Sequence, residues 1–189
     1  NGNKDAISLE MVELNKTYAI VISTNAGLWR YLIGDTIRFT SLHPFRIKIV
    51  GRTKSFLNAF GEELVIENAE DALDFACKKT SAIVKEYTVA PLYINEGDSG
   101  THQWLIEFEK VPYDLDIFTK ELDLFLQEIN SDYKVKRTNN LILRMPKIES
   151  LKIGTFYKWL KQKKKLGGQN KVPRLSNNRE IAEEILGLK

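Results

Sequence analysis

Three separate stretches of this sequence place side chains where chemistry could be done. In GLWRYLIGD, residues 27–35, an apolar run is interrupted by Arg30 and closed by Gly34-Asp35. A glycine leading an aspartate out of a strand makes a tight turn that presents a carboxylate. Such a carboxylate can accept hydrogen bonds from the vicinal hydroxyls of a ribose, or it can simply stabilise the turn. Further on, Gly51-Arg52 again follows a strand candidate. The planar guanidinium fork of Arg52 suits a phosphate, or Asp35 itself, or solvent. Arg30 reads equally well as an outward-facing residue on an alternating strand. The third stretch is GGQNKVPR, residues 167–174, where two glycines free a loop, Lys171 projects an ammonium and Pro173 stiffens the chain beyond it. A lysine so placed can neutralise charge developing on a transferred phosphoryl or acyl-phosphate group, or be an ordinary solvated side chain.

Other chemistries find less support. His43 and His102 have no Cys, His or Asp partner at metal-ligand spacing, so no metal site is assigned. Neither GxxxxGK[ST] nor GxGxxG occurs, so the phosphates of any bound nucleotide would be held mainly by sequence outside this chain. Cys77 is the one cysteine; among Ala72, Leu73 and Ala76 it reads as a buried helix residue rather than a nucleophile. A lone thiol also suits a reducing compartment. No apolar window is long enough for a membrane span, and NGNKDAISLE lacks a secretory layout, so a soluble, cytoplasmic protein is expected. The net charge of +3 is unevenly spread: residues 144–179 carry eleven Lys or Arg against Glu149 alone. That basic stretch must face water, an anionic partner or the acidic remainder of the chain.

The elements that must position these residues emerge from periodicity. With 189 residues, 43% hydrophobic and 28% charged, the chain can form one packed domain or a domain plus part of another. Residues 15–60 read as closely spaced antiparallel strands: YAIVIS, the stretch ending at Gly34-Asp35, TIRFT, and residues 46–50. That set is too small to make its own core. From Val65 the spacing of Ile66, Ala69, Leu73, Ala76 and Cys77 predicts a helix. Strands come next over residues 82–94 and 102–109, the second with Trp104, Ile106 and Phe108 on one face. After Pro112, the stripe Leu115, Phe118, Leu122, Phe125, Leu126 and Ile129 predicts an amphipathic helix. A strand at 141–143 ending at Pro146, a helix capped by Thr155 and running through Leu166, and a final helix capped by Asn177 or Asn178 complete an α-β-β-α-β-α-α order. The fold class is α+β: a short antiparallel β-subdomain, residues 1–54, followed by a small mixed-sheet domain with flanking helices, residues 55–189.

Taken in order, these segments resemble one family. YAIVISTNAGLWRYLIGD is similar to a motif of the auxin-responsive acyl acid–amido synthetases, Thr-Thr-x-x-Gly-Leu-Tyr/Trp-Arg-Tyr-x-x-Gly-Asp, within the acyl-adenylate-forming superfamily. IVGRTKSFLNAFGEELVIENAEDAL resembles that superfamily's hinge segment. GTFYKWL with QNKVPR resembles the amido-synthetase tail, so the resemblance covers essentially the whole chain. It implies a C-terminal portion whose large N-terminal domain, with the phosphate loop and most of the acyl pocket, is missing. The implied reaction has two steps. A carboxylic acid attacks MgATP to form an acyl-adenylate and pyrophosphate, and an amine, usually of an amino acid, then displaces AMP. The small domain rotates about the hinge between steps. By this resemblance Asp35 binds the ribose hydroxyls, Tyr31 lies beside the nucleotide, Arg52 stands near ribose and phosphate, Lys54 falls at the hinge, and Lys171 is the mobile lysine of adenylation. ATP and Mg, held mainly by the missing domain, are the implied cofactors; an acyl acid, an amine and that domain are the implied partners.

Two further readings are carried. An acyl-CoA-type ligase of the same superfamily would differ only in the acceptor. A non-catalytic nucleic-acid-binding module would use the basic tail, where KQKKK supplies a phosphate footprint, but Phe156 and Trp159 are spaced for a helix core rather than a stacking platform.

Overall fold

The computed structural model describes residues 6–52, 56–94, 99–140, 142–165, 167 and 171–188, with Arg52 described by its backbone. The fold is α+β, and packing divides the chain into two compact units, residues 1–54 and 55–189.

In the first unit, β-branched and aromatic residues form β1 (Thr17–Ile22), β2 (Tyr31–Leu42) and β3 (Phe45–Arg52), an antiparallel sheet in chain order. Among its described hydrophobic side chains only Ile37 and Phe39 are buried. The rings of Tyr18 and Phe45 meet Phe39 edge-on, each at 6.0 Å between centroids. Val21, Leu32, Ile33, Ile47 and Ile49 stay exposed.

Two expectations change here. Gly34-Asp35 does not end a strand, because β2 runs unbroken for 12 residues through both. Gly27 to Arg30 belongs to the connection before β2 rather than to a strand. There Thr24 N donates to Leu28 O at 2.8 Å and Arg30 N to Ser23 Oγ at 3.0 Å. With φ of 46°, Arg30 occupies left-handed backbone, which breaks strand alternation and removes the outward-facing reading.

The second unit opens with a small ladder of β4 (Phe56–Leu57) and β5 (Leu64–Val65), then α1 (Ile66–Thr80). The chain continues through β6 (Ile83–Tyr93), β7 (Gly100–Lys110), α2 (Leu115–Ile129), α3 (Ser131–Arg137), β8 (Lys147–Leu151), α4 (Thr155–Gln162) and α5 (Glu180–Leu186). The mixed sheet has the order β6-β7-β8, antiparallel between β6 and β7 and parallel between β7 and β8.

Strand β7 is buried on both faces. Trp104, Ile106 and Phe108 pack with Leu73 and Ala76 of α1 and with Phe118, Leu122 and Leu126 of α2. On the other side Leu105 packs with Leu151, Phe156, Trp159, Ala182 and Ile185. The sequence pattern shows one apolar face only, because the other is completed by helices far along the chain. At its start, a side chain on Gly100 would meet Leu92 O and the Phe60 ring at 2.5 Å, so the close backbone approach requires glycine.

Local chemistry sets the helix ends. Asp114 Oδ1 accepts from Asp116 N and Ile117 N at 2.8 and 2.9 Å to start α2, and Asn130 Oδ1 accepts from Tyr133 N at 2.8 Å to start α3. Helix α3 adds an element to the expected order. Its polar sequence SDYKVKR hides a buried network in which Asp123 accepts from Tyr133 Oη at 2.7 Å and from Arg137 Nε and Nη2 at 2.7 and 2.8 Å. Burial, followed by the Asp123 charge, pushes the Tyr133 hydroxyl far above its ordinary pKa, so it remains a donor.

The strand expected over 141–143 lies instead after Pro146: β8 pairs with Gln103 to Glu107 of β7, while Leu143 makes a single bridge to Gly100. Leu143 is spent filling the core, and Leu141 lies outside the described residues. Thr155 does not cap α4; Gly154 N and Phe156 N donate instead to the buried carboxylate of Glu107, at 3.0 and 2.6 Å. This helix stops at Gln162, short of Leu166, and gives way to a turn with Lys164 at φ of 54°. Asn178 Oδ1 accepts from Glu180 N at 3.2 Å at the start of α5.

Candidate functional site

Asp35 stands in a bulge. Ala19 pairs with Thr36 and Val21 with Leu32, so one residue of β1 faces Ile33, Gly34 and Asp35 of β2. Gly34, at φ of 92°, supplies the left-handed backbone that lets β2 bow out and resume. On the opposite edge Asp35 pairs with Arg52 and Thr36 with Gly51, but Ile37 pairs with Ile49, leaving Val50 as an extra residue of β3. Two irregularities therefore flank a half-buried aspartate, a common device for re-aiming a side chain near a site. This corrects the strand-end turn inferred from sequence: a left-handed glycine can end a strand or bulge it, and the continuing β3 partner selects the bulge.

The register brings Asp35 and Arg52 directly opposite each other. Tyr31 lies on the same strand as Asp35, across the bulge and paired with Ile22, and is 52% exposed. Trp29, two residues earlier, is 82% exposed. The cluster thus offers a carboxylate, an arginine position and open aromatic faces, groups suited to hydroxyls, an anion and a flat ring. Lys54, the hinge candidate, lies outside the described residues.

Lys171 belongs to the second unit, where it is exposed and begins a strap laid along β6. Behind it Val172 and Leu175 are buried, one in each of the two cores. Val89 N donates to Arg174 O at 2.9 Å, Ser176 N to Val89 O at 3.0 Å, and Thr88 Oγ1 to Pro173 O at 2.6 Å. The Arg174 guanidinium lies 4.5 Å over the Tyr87 ring and pairs with Glu86. Burial pulls that guanidinium below its ordinary pKa. An open cleft of about 350 Å³ adjoins Arg174 and Tyr87, with Glu70, Asp74, Cys77 and Lys85 also along it.

Sequence reasoning singled out Lys171 but missed the residues that hold its neighbours: Glu86, Tyr87, Arg174 and Asn177. Arg174 carried a signal in the PR of QNKVPR. Glu86 and Tyr87 sit in an ordinary strand pattern and carried none. Of the two candidate caps for the last helix, Asn178 takes that place, while Asn177 bonds to Phe56 of β4 and the residue just after that strand, donating to Phe56 O and accepting from Asn58 N, each at 2.7 Å. Among the described residues, no group of three or more His, Cys, Asp or Glu converges as a metal site would. No described helix is long and apolar enough to cross a membrane.

Comparison with known proteins agrees with the order of these segments. The family model described as GH3 family central domain matches residues 1–52, and that described as GH3 family C-terminal domain matches residues 67–180. Indole-3-acetic acid-amido synthetase GH3.10 of Arabidopsis thaliana is 26% identical over 181 residues, covering 91% of this chain and 30% of that protein. Indole-3-acetic acid-amido synthetase GH3.2 of the same plant is 49% identical over 37 residues, 20% of this chain and 7% of that protein. The solved GH3.15 acyl acid amido synthetase shares the fold, with a TM-score of 0.75 at 21% identity over 96% of this chain and 35% of that one. The chain spans about a third of the length of the relatives it matches end to end. With the C-terminal match alone covering more than half of its residues, this chain belongs to the GH3 family.

Proposed function

We propose that this chain is the C-terminal part of an ATP-dependent acyl acid–amido synthetase, which adenylates a carboxylic acid and passes the acyl group to an amine, an amino acid being the expected acceptor. The observation that carries this reading is the glycine-led bulge that sets Asp35 opposite Arg52. In this role Asp35 accepts hydrogen bonds from the ribose hydroxyls of ATP, Arg52 faces ribose and phosphate, and Tyr31 flanks the nucleotide. Lys171 stabilises negative charge on the phosphate as the acyl–oxygen–phosphorus bond forms and pyrophosphate leaves. Residues 1–54 act as the last β-subdomain of the adenylation domain. Residues 55–189 act as a lid that turns about Lys54 between adenylation and amide formation. ATP and magnesium would be held mainly by an N-terminal domain outside this chain, the ion through one or two carboxylates and the phosphates themselves. The lone thiol fits work in the cytoplasm. Phe156 and Trp159 are buried, in keeping with helix-core spacing, and offer no stacking surface to a nucleic acid.

Acid-dependent ATP–pyrophosphate exchange by the full-length protein is the test. Lys171→Ala should slow exchange about 10²- to 10³-fold, the scale of a lost transition-state contact, while amide formation from supplied acyl-adenylate continues. Equal loss in both half-reactions would point to misfolding and remove the role. This chain alone should support no exchange; measurable exchange by it would refute the assignment of the phosphate-binding groups to another part of the protein.

A further inference from the structure

We infer that residues 172–177 form a two-point clamp that positions Lys171, with Arg174 and Asn177 as its positioning residues. The inference rests on the catalytic role proposed above for Lys171. The first point is on β6. There the backbone of residues 174–176 exchanges hydrogen bonds with Val89, and Thr88 Oγ1 holds Pro173 O at 2.6 Å. The Arg174 side chain folds back over Tyr87 and pairs with Glu86, so its charge is committed to the strap instead of being presented to a ligand.

The second point is on β4. Through its one amide, Asn177 accepts from Asn58 N and donates to Phe56 O, each at 2.7 Å, reproducing the paired bonds of a strand neighbour with a single side chain. Phe56 is the second residue beyond the boundary between the two units. The chain from Val172 to Asn177 is thus fastened both to the central sheet and to the start of the second unit. During a rotation about that boundary, the backbone bearing Lys171 moves with the body of the unit and not as a free loop. Preset geometry of this kind decides whether a catalytic ammonium meets its phosphate, because a displacement of about 1 Å can cost roughly 100-fold in rate.

The test compares Lys171→Ala, Arg174→Ala, Arg174→Lys and Asn177→Ala in the full-length protein. Asn177→Ala and Arg174→Ala should each lower kcat for ATP–pyrophosphate exchange about 10-fold or more, with KM for ATP held within about twofold and amide formation from acyl-adenylate retained. Arg174→Lys keeps the charge but not the planar fork and should recover only part of the loss. Hydrogen exchange at the amides of Val89 and Ser176 should accelerate in Arg174→Ala while the amides of β7 keep their protection. Unchanged exchange kinetics in both alanine variants, alongside an impaired Lys171→Ala, would overturn the clamp. A general loss of protection, or equal loss in both half-reactions, would overturn it in favour of a purely structural role. A fully active Lys171→Ala would overturn the catalytic reading instead, and hydrogen exchange would then still decide whether the strap is fastened as described.

Discussion

The two units of this chain solve the problem of a β-sheet differently. In the second, a three-stranded mixed sheet is covered on both faces, and β7 is buried from Gly100 through Phe108. In the first, a three-stranded antiparallel sheet buries only Ile37 and Phe39 of its described hydrophobic side chains and leaves Ile47 and Ile49 exposed, Ile49 at 65%. The contrast separates where stability resides from where the proposed nucleotide contacts lie. A sheet closed on both faces can bear deep polar networks and fixed straps, because packing holds them. A sheet with little core of its own can carry bulges and open aromatics at low cost, and these are the features suited to grasping a ligand.

The largest effect that would break the contrast is expected at Asp123. Asp123→Ala leaves the Arg137 guanidinium and Tyr133 hydroxyl buried without their shared acceptor, and should cost about 3–5 kcal/mol in urea unfolding of the second unit. Trp104 and Trp159, both buried there, supply the fluorescence signal. A change below about 1 kcal/mol would mean the network is easily resolvated. Next, Leu122→Ala should destabilise by about 2–5 kcal/mol, whereas Ile49→Ala in the same 189-residue chain should stay within about 0.5 kcal/mol. Equal costs would erase the distinction between the sheets.

Asp35→Ala sharpens the comparison from the functional side. Loss of a charged acceptor of hydrogen bonds should weaken ATP use by the full-length protein about 10- to 100-fold, the equivalent of roughly 1.5–3 kcal/mol, without moving the unfolding of the second unit. Unaltered exchange would remove the ribose role. The smallest effect concerns Cys77. Burial raises its thiol pKa above the ordinary value, against a backbone hydrogen bond at Val84 that lowers it. At pH 8 less thiolate is present than for a free thiol, so iodoacetamide should label it more slowly, with the rate climbing as pH rises. Labelling at the free-thiol rate, read by mass spectrometry, would show that partial burial does not hold the thiolate back.

Much of this was legible in the residues themselves. The period of Ile66, Ala69, Leu73 and Ala76 specifies α1, and the stripe from Phe118 to Leu126 specifies α2, because a buried helix face needs only local spacing to announce itself. The resemblance of GLWRYLIGD and QNKVPR to family motifs put Asp35 and Lys171 forward as site candidates. What sequence could not decide was how those residues are held. Whether Gly34 ends a strand or bulges it depends on β3 continuing alongside, a pairing between positions far apart in the chain. Glu107 looks like an alternating strand residue, and only the arrival of α4 turns its buried carboxylate into a cap. Asn177 reads as a helix cap until β4 lies within reach of its amide. Local propensity and period therefore determined most of the elements, and resemblance named the candidate site residues. Long-range hydrogen bonds, which carry no local spacing, were decided by the tertiary structure alone.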